Sequence, residues 1–194
     1  GSVMTYCIRC HWVLEDSRTI AHVTGVKLSA TTYTYNGKVQ KPSVTVKNSK
    51  GKALKSTDYK IYYPKGMKNV GKYTVKVTLK GNYSGSKSMT YNINPKGTSV
   101  SKVKAAKKGF KVTWKKQATQ TTGYQVQYST SSKLKKAKTV TISKNKTTSK
   151  SVGKLSAKKK YYVRVRTYKT VKVNGKNVKL YSGWSKAKSV TTKK

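Results

Sequence analysis

Cys7-Ile8-Arg9-Cys10-His11 gathers two thiols and an imidazole, and a second imidazole, His22, follows. Read literally, this is a c-type haem attachment site, with thioether bonds at Cys7 and Cys10 and His11 on the iron. The flanking residues VLEDSRTIAHV are too short and too polar a segment to enclose a haem. Cys-x-x-Cys is equally half of a tetrahedral zinc site, which His22 or a pair further upstream would complete. A Cys7–Cys10 disulfide, or two free thiols, is the simpler alternative, and the oxidising surroundings of an exported protein favour the disulfide. Apart from zinc, no cofactor is expected. Catalysis lacks its parts. The acids are Glu15, Asp16 and Asp58 alone, and the two neighbours cannot supply the opposed carboxylates, about 5 to 10 Å apart, that ordinary glycoside hydrolysis needs. Both histidines lie in the same stretch as Glu15 and Asp16, and no glycine-rich phosphate cradle is present. The sequence points away from an enzyme.

A second constellation sits in YYVRVRTY, residues 161 to 168. If this is a strand, Tyr161, Val163 and Val165 point one way and Tyr162, Arg164, Arg166 and Tyr168 the other. The polar row is either a ligand platform or a brace. The surrounding chain supports the strand. Helical periodicity is hard to find after residue 24, whereas period-two alternation recurs at Val44/Val46, Tyr73/Val75/Val77/Leu79, Met89/Tyr91/Ile93, Phe110/Val112/Trp114 and Tyr124/Val126/Tyr128. Asn36-Gly37 and Asn174-Gly175 predict hairpin turns of the type that needs positive φ at both positions. The whole is expected to be all-β, and NPKGTSV, residues 94 to 100, breaks it in two. The division is residues 1–24, an arm carrying CxxCH; 25–96, a first β-domain; and 97–194, a second.

Charge dominates the composition. Lys and Arg total 45 against three acids, for a formal net charge of +42, and Arg occurs only at positions 9, 18, 164 and 166. Lysine is a mobile, strongly hydrated point charge, while arginine gives rigid bidentate contacts. A lysine-dominated surface therefore suits diffuse attraction to polyanions, or simple solubility, better than a shaped recognition site. No run of roughly 18 apolar residues exists, so insertion into a membrane is not expected. Gly1-Ser2 reads as the scar of a cleaved tag, which would leave the natural start and any signal peptide upstream.

Between residues 26 and 96 the chain runs YTYNGKVQKPSVTV, DYKIYYPKG, NVGKYTVKVTLKGNYSG and MTYNINPK. This order resembles the bacterial immunoglobulin-like repeats of Gram-positive surface proteins. Asp58 within it is expected to cap a turn or pair with a lysine. The rival reading is the acid of a Lys–Asn isopeptide cross-link. Residues 98–192 resemble a fibronectin type III domain: Trp114 in FKVTW stands at the core tryptophan, GYQVQY follows as the next core strand, and Leu155 and Tyr161 keep the spacing of a tyrosine corner. YSGWS, residues 181 to 185, is similar to the Trp-Ser-x-Trp-Ser signature of cytokine-receptor fibronectin domains, with Tyr181 for the first tryptophan. The resemblance implies that Trp184 and Tyr181 interleave with Arg164 and Arg166 in a cation–π ladder, each contact contributing about 0.5 to 2 kcal/mol. The platform reading would instead use Arg164, Arg166, Trp184, Tyr162 and Tyr168 to bind a ligand.

Taken together, these resemblances imply an extracellular, non-catalytic stalk or adhesion module of a bacterial cell surface, monomeric. Its expected partners are anionic wall polymers, acidic glycans or host glycoproteins. The competing reading is a sequence-independent nucleic-acid-binding protein. Its charge is sufficient, but alternation leaves at most two of Tyr83, Tyr162 and Tyr168 on one face to stack bases.

Overall fold

The computed structural model describes the backbone of residues 3–6, 13–16 and 23–194, and side chains from residue 25 onward. Cys7, Cys10, His11 and His22, and with them the zinc and disulfide expectations, lie outside the described residues. The described chain is all-β apart from one 3-10 turn at Ser56–Asp58.

The first strands are β1 (Val3–Tyr6) and β2 (Val13–Asp16), which pair antiparallel. They are followed by β3 (Val23–Leu28), β4 (Thr32–Thr34), β5 (Val44–Asn48), β6 (Tyr59–Tyr62), β7 (Gly71–Leu79) and β8 (Ser86–Asn94). Strands β3 and β5 form a two-stranded sheet, while the other sheet runs β4-β8-β7-β6 with β4 parallel to β8. Alternation does here what the sequence predicts. Val46, Val75, Val77, Tyr91 and Ile93 are buried, and Lys72, Thr74 and Lys76 between the apolar positions of β7 are exposed. Tyr73 stacks on Tyr91 with ring centroids 5.4 Å apart. Asp58 caps a turn: its carboxylate accepts a hydrogen bond from the Lys55 amide at 3.1 Å.

One expectation fails in this part. Asn36-Gly37 closes no hairpin, because the strands on either side, β4 and β5, pair with β8 and β3. Only Gly37 takes positive φ, at 78°, while the Asn36 side chain accepts from the Lys38 amide at 2.9 Å. An asparagine that bonds its own backbone two residues on makes a turn without needing a partner strand.

The remaining strands are β9 (Val100–Ala106), β10 (Gly109–Trp114), β11 (Gly123–Ser129), β12 (Lys138–Ile142), β13 (Ser149–Val152), β14 (Lys160–Val173), β15 (Lys176–Tyr181) and β16 (Lys188–Thr191). One sheet is β13-β10-β9; the other is β12-β11-β14-β15, with β16 also on β14. The two pack as a sandwich. Phe110, Val112, Trp114 and Val152 from the first meet Tyr124, Val126, Tyr128, Ile142, Tyr161, Val163 and Val165 from the second in one core. Trp114 lies 5.3 Å from Tyr124, ring to ring, in the place expected of the core tryptophan. Asn174-Gly175 does turn a hairpin: φ is 49° and 77°, and Val173 pairs with Lys176 across it. The tyrosine corner is only half realised. Tyr161 is buried between Phe110 and Tyr128, but its hydroxyl makes no hydrogen bond to upstream backbone.

The contacts also fix two positions where only glycine fits, Gly109, whose Cβ would strike the Val152 carbonyl oxygen, and Gly123. A Cβ on Gly123 would collide with the Ile142 carbonyl oxygen of β12 and crowd the Tyr168 hydroxyl. Gly123→Ala is therefore expected to destabilise this sandwich by about 1 to 3 kcal/mol, as overpacking does. Gly153→Ala, where nothing lies within 4 Å, should stay within about 0.5 kcal/mol of the parent. Urea denaturation midpoints of the two variants provide the check.

Candidate functional site

Strand β14 has 14 residues, and its burial alternates as the sequence predicts, with Tyr161, Val163, Val165 and Thr167 inward and Tyr162, Arg164 and Arg166 half-exposed on the other face. What happens on that outer face depends on register. Arg164 lies directly opposite Gln127 of β11, and Arg166 opposite Gln125. The Arg164 Nε donates to Gln127 Oε1 at 2.7 Å, and Arg166 donates from Nε and Nη2 to Gln125 Oε1 at 2.9 and 2.7 Å. The relay continues one strand further. Gln125 Nε2 donates to Thr141 Oγ1 at 3.2 Å and Gln127 Nε2 to Thr139 Oγ1 at 3.4 Å, each the facing residue on β12. Two lines of polar side chains thus cross β12, β11 and β14 side by side.

Their ends are closed by rings. The Trp184 indole sits between the two guanidinium groups, 4.7 Å from that of Arg164 and 4.3 Å from that of Arg166, and Tyr181 covers Arg166 at 3.9 Å. The order is Arg164, Trp184, Arg166, Tyr181, the ladder expected from YSGWS. Tyr168 extends it, with its ring 6.0 Å from that of Tyr181 and the Lys179 ammonium 5.1 Å away. Tyr168 is nevertheless 2% exposed, so its ring offers no platform to a ligand. Tyr162, at the other end, is half-buried beside Lys160, 5.6 Å from its ring.

Electrostatics explain why rings do this work. Asp58 is the one acid whose side chain is described, so among the described residues no carboxylate meets the row, and the negative faces of the aromatic rings stand against the cations instead. Burial pushes the Arg166 guanidinium below its ordinary value; Tyr181 opposes this and Arg164 adds to it. A guanidinium remains cationic at neutral pH under such a shift.

The segment carrying the rings also repairs an edge. Residues 168–173 of β14 pair with β15 and residues 160–163 pair with β16. Between them the serines of YSGWS take over. The Val165 amide donates to Ser185 Oγ at 3.0 Å and the Thr167 amide to Ser182 Oγ at 3.1 Å, while Ser185 N and Ser182 N donate back to the Val165 and Thr167 carbonyls. No backbone donor is left open along that stretch, which removes a template for unwanted strand pairing.

Of the residues singled out as binding candidates, Arg164, Arg166 and Trp184 come together, Tyr168 joins them from below, and Tyr162 stands apart. Gln125, Gln127, Thr139 and Thr141 escaped the sequence reading. The alternation in YQVQY and KTVTI was their signal, but only the register shows which arginine each faces. Among the described residues no group of three His, Cys, Asp or Glu side chains is placed to hold a metal.

The arrangement is a brace, with guanidinium edges and faces both engaged inside the protein. Trp184→Ala should cost about 1 to 4 kcal/mol, two cation–π contacts at roughly 0.5 to 2 each. Gln125→Ala with Gln127→Ala should cost about 1 to 3 kcal/mol, because two half-buried cations lose hydrogen-bond acceptors. An unchanged denaturation midpoint for Trp184→Ala would turn the row back into a candidate ligand face.

Among known structures, the chicken CNTN1 FN1-FN3 domains align with this chain at 21% identity and a TM-score of 0.43 over 65% of it. Domains A168-A170 of titin align at 15% identity and a TM-score of 0.41 over 89% of this chain and 68% of theirs. A beta-1,2-glucanase from Parabacteroides distasonis aligns at 14% identity and 0.39, over 63% of this chain and 18% of the enzyme. This chain spans 42% of the length of the CNTN1 structure. No curated protein matches. Fibronectin type III domains are typically non-catalytic and commonly extracellular, and no helix among the described residues is long and apolar enough to cross a membrane. Residues 94–181 match the family model described as "Fibronectin type III domain".

Proposed function

We propose that this chain is an extracellular spacer and adhesion module of a Gram-positive cell surface, in which an immunoglobulin-like domain over residues 25–96 precedes the fibronectin type III domain. Its lysine-covered exterior contacts anionic wall polymers, acidic glycans or acidic host glycoproteins. The observation that carries this reading is that the charge is not neutralised within the described residues: a few lysines lie on tyrosine rings or donate to a carbonyl, but none meets a carboxylate. On the outer face of the β9–β10 pair Lys104 stands directly opposite Lys111, with Lys102 also exposed nearby. Like charges facing each other across strands cost stability. A protein keeping such pairs, where a single glutamate would relieve them, gains something from an external anion.

Lysine ammonium groups on mobile stems bind by neutralising charge and releasing counter-ions, so affinity follows salt rather than shape. The same charge would attract nucleic acid, which makes duplex DNA the necessary control. Binding to wall teichoic acid, to a sulfated glycan and to duplex DNA is expected to fall about a thousandfold between about 50 and 200 mM salt, as for six or more charge contacts. Affinity for teichoic acid or glycan that stays above that for DNA through this fall supports the cell-surface reading. DNA outlasting both would overturn it in favour of nucleic-acid binding, and salt-independent binding would overturn the electrostatic mechanism altogether.

A further inference from the structure

At one end of the fibronectin type III sandwich, the loop from β11 to β12 and the loop from β13 to β14 stand over a cavity of about 430 Å³. That volume lies in the range of small-ligand pockets and matches a single sugar ring better than an extended chain. Its walls are Tyr128, Tyr161 and Leu155, with Ser129, Thr130 and Ser131 beside Lys135, Lys136 and Lys138.

Three independent features make this a built site. First, Tyr128 is 9% exposed and Tyr161 8%, yet neither hydroxyl has a hydrogen-bond partner among the described residues. Neither hydroxyl is among the buried unpartnered polar atoms of the described residues, so both open toward the cavity, where they are free to bond a ligand. Burial pushes the Tyr128 hydroxyl up, with Tyr161 adding, so it remains a proton donor at neutral pH. Second, the cavity is held open. Ser129 Oγ donates to the Lys135 carbonyl at 2.7 Å and accepts from the Ser131 amide at 3.1 Å, which fixes the loop above it. Third, Leu134 and Lys136 in one loop, and Lys154 and Lys158 in the other, hold positive φ of 47° to 56° without being glycine. Such backbone strain persists only where the surroundings enforce it, and it clusters at sites that bind.

The chemistry of the walls selects the ligand. Leu155 suits the C–H face of a pyranose, and the hydroxyls of the two tyrosines, whose rings are packed in the core, and of the serines suit its hydroxyl groups. Lys135, Lys136 and Lys138 are exposed and have no carboxylate partner, leaving an anionic substituent as their natural complement. We propose that this cavity binds one hexose-sized sugar unit carrying an anionic group. It goes beyond the diffuse surface attraction proposed above, because a monosaccharide with a single anionic group cannot exploit the surface at large.

The test is a titration of the whole chain, isotopically labelled, followed by amide chemical shifts at physiological salt. The probes are D-glucuronate, D-glucose 6-phosphate, D-glucose and inorganic phosphate, the two anionic sugars separating a carboxylate source from a phosphate source. The expected result is shifts confined to residues 128–138 and 153–161 with at least one anionic sugar, and affinities for glucose and for phosphate lower by about tenfold or more. Tyr128→Phe and Lys138→Ala should each weaken that sugar about tenfold at an unchanged denaturation midpoint, whereas Lys172→Ala, outside the cavity, should leave it unaltered. Equal binding of glucose, equal binding of inorganic phosphate, shifts spread over the lysine surface, or no shift at all would each overturn the proposal. Polymer binding lost with salt while glucuronate or glucose 6-phosphate still shifts the cavity would separate the two readings.

Discussion

Two guanidinium groups stand side by side on β14 in a chain whose described side chains include a single carboxylate. They need partners that are not acids, and much of the outer architecture of this sandwich follows from supplying them. Amide oxygens from Gln125 and Gln127 take the edges of the cations, and the faces go to Trp184 and Tyr181. Neither kind of partner carries charge, so the array does not depend on ion pairing and loses little to salt screening. Lysine would not serve. Its ammonium neither stacks flat on an indole nor offers a planar fork to an amide, which accounts for arginine at 164 and 166 in a chain that otherwise uses lysine almost everywhere.

The same array solves a problem of chain connectivity. Strand β14 is longer than either strand that flanks its outer edge, and the gap between β15 and β16 would expose backbone donors at its middle. Ser182 and Ser185 fill that gap with hydroxyl acceptors while the residues around them, Tyr181 and Trp184, place their rings between the arginines. Short-range spacing therefore does two jobs at once, since serine and aromatic residues alternate between edge and face. One segment both closes the sheet and cross-links its outer surface to β12 through four side-chain layers. Losing either half of the arrangement would leave the other unsupported.

How much of this the sequence disclosed depends on whether the determining information was local. Strand alternation is local, so the buried rows of β7, β8, β10, β11 and β14 could be read directly. Asn174-Gly175 turned as expected for the same reason. Asn36-Gly37 did not, because a hairpin also requires adjacent strands to pair, and β4 instead runs parallel to β8, more than fifty residues further on. The ladder from Arg164 to Tyr181 was legible through YSGWS. Its glutamine and threonine partners were not, because a one-residue change of register would have faced the arginines with Val126 or Tyr128. The cavity beneath residues 130–137 lay beyond reach altogether. Its walls come from four separate stretches, and its defining feature is a pair of hydroxyls that bond nothing, a property no spacing records. Tyr161 illustrates the point, since its position was readable while the destination of its hydroxyl was not.

A net charge of +42 works against a compact state, and facing lysines on β9 and β10 add locally to that repulsion. What makes such a surface tolerable is that the fold's stability is drawn from elsewhere: two apolar sheet faces, and an outer brace built from rings and neutral amides. Stability and charge are thereby decoupled. Lysines can be added or removed on exposed strand positions without disturbing either the core or the ladder, whereas acids introduced near Arg164 would compete with the rings for the guanidinium faces. The scarcity of carboxylates is thus consistent with the way the sandwich is held together. An external polyanion, neutralising the lysines from outside, would relieve the repulsion and add to the stability of the folded module, so binding and folding free energies are coupled with the same sign.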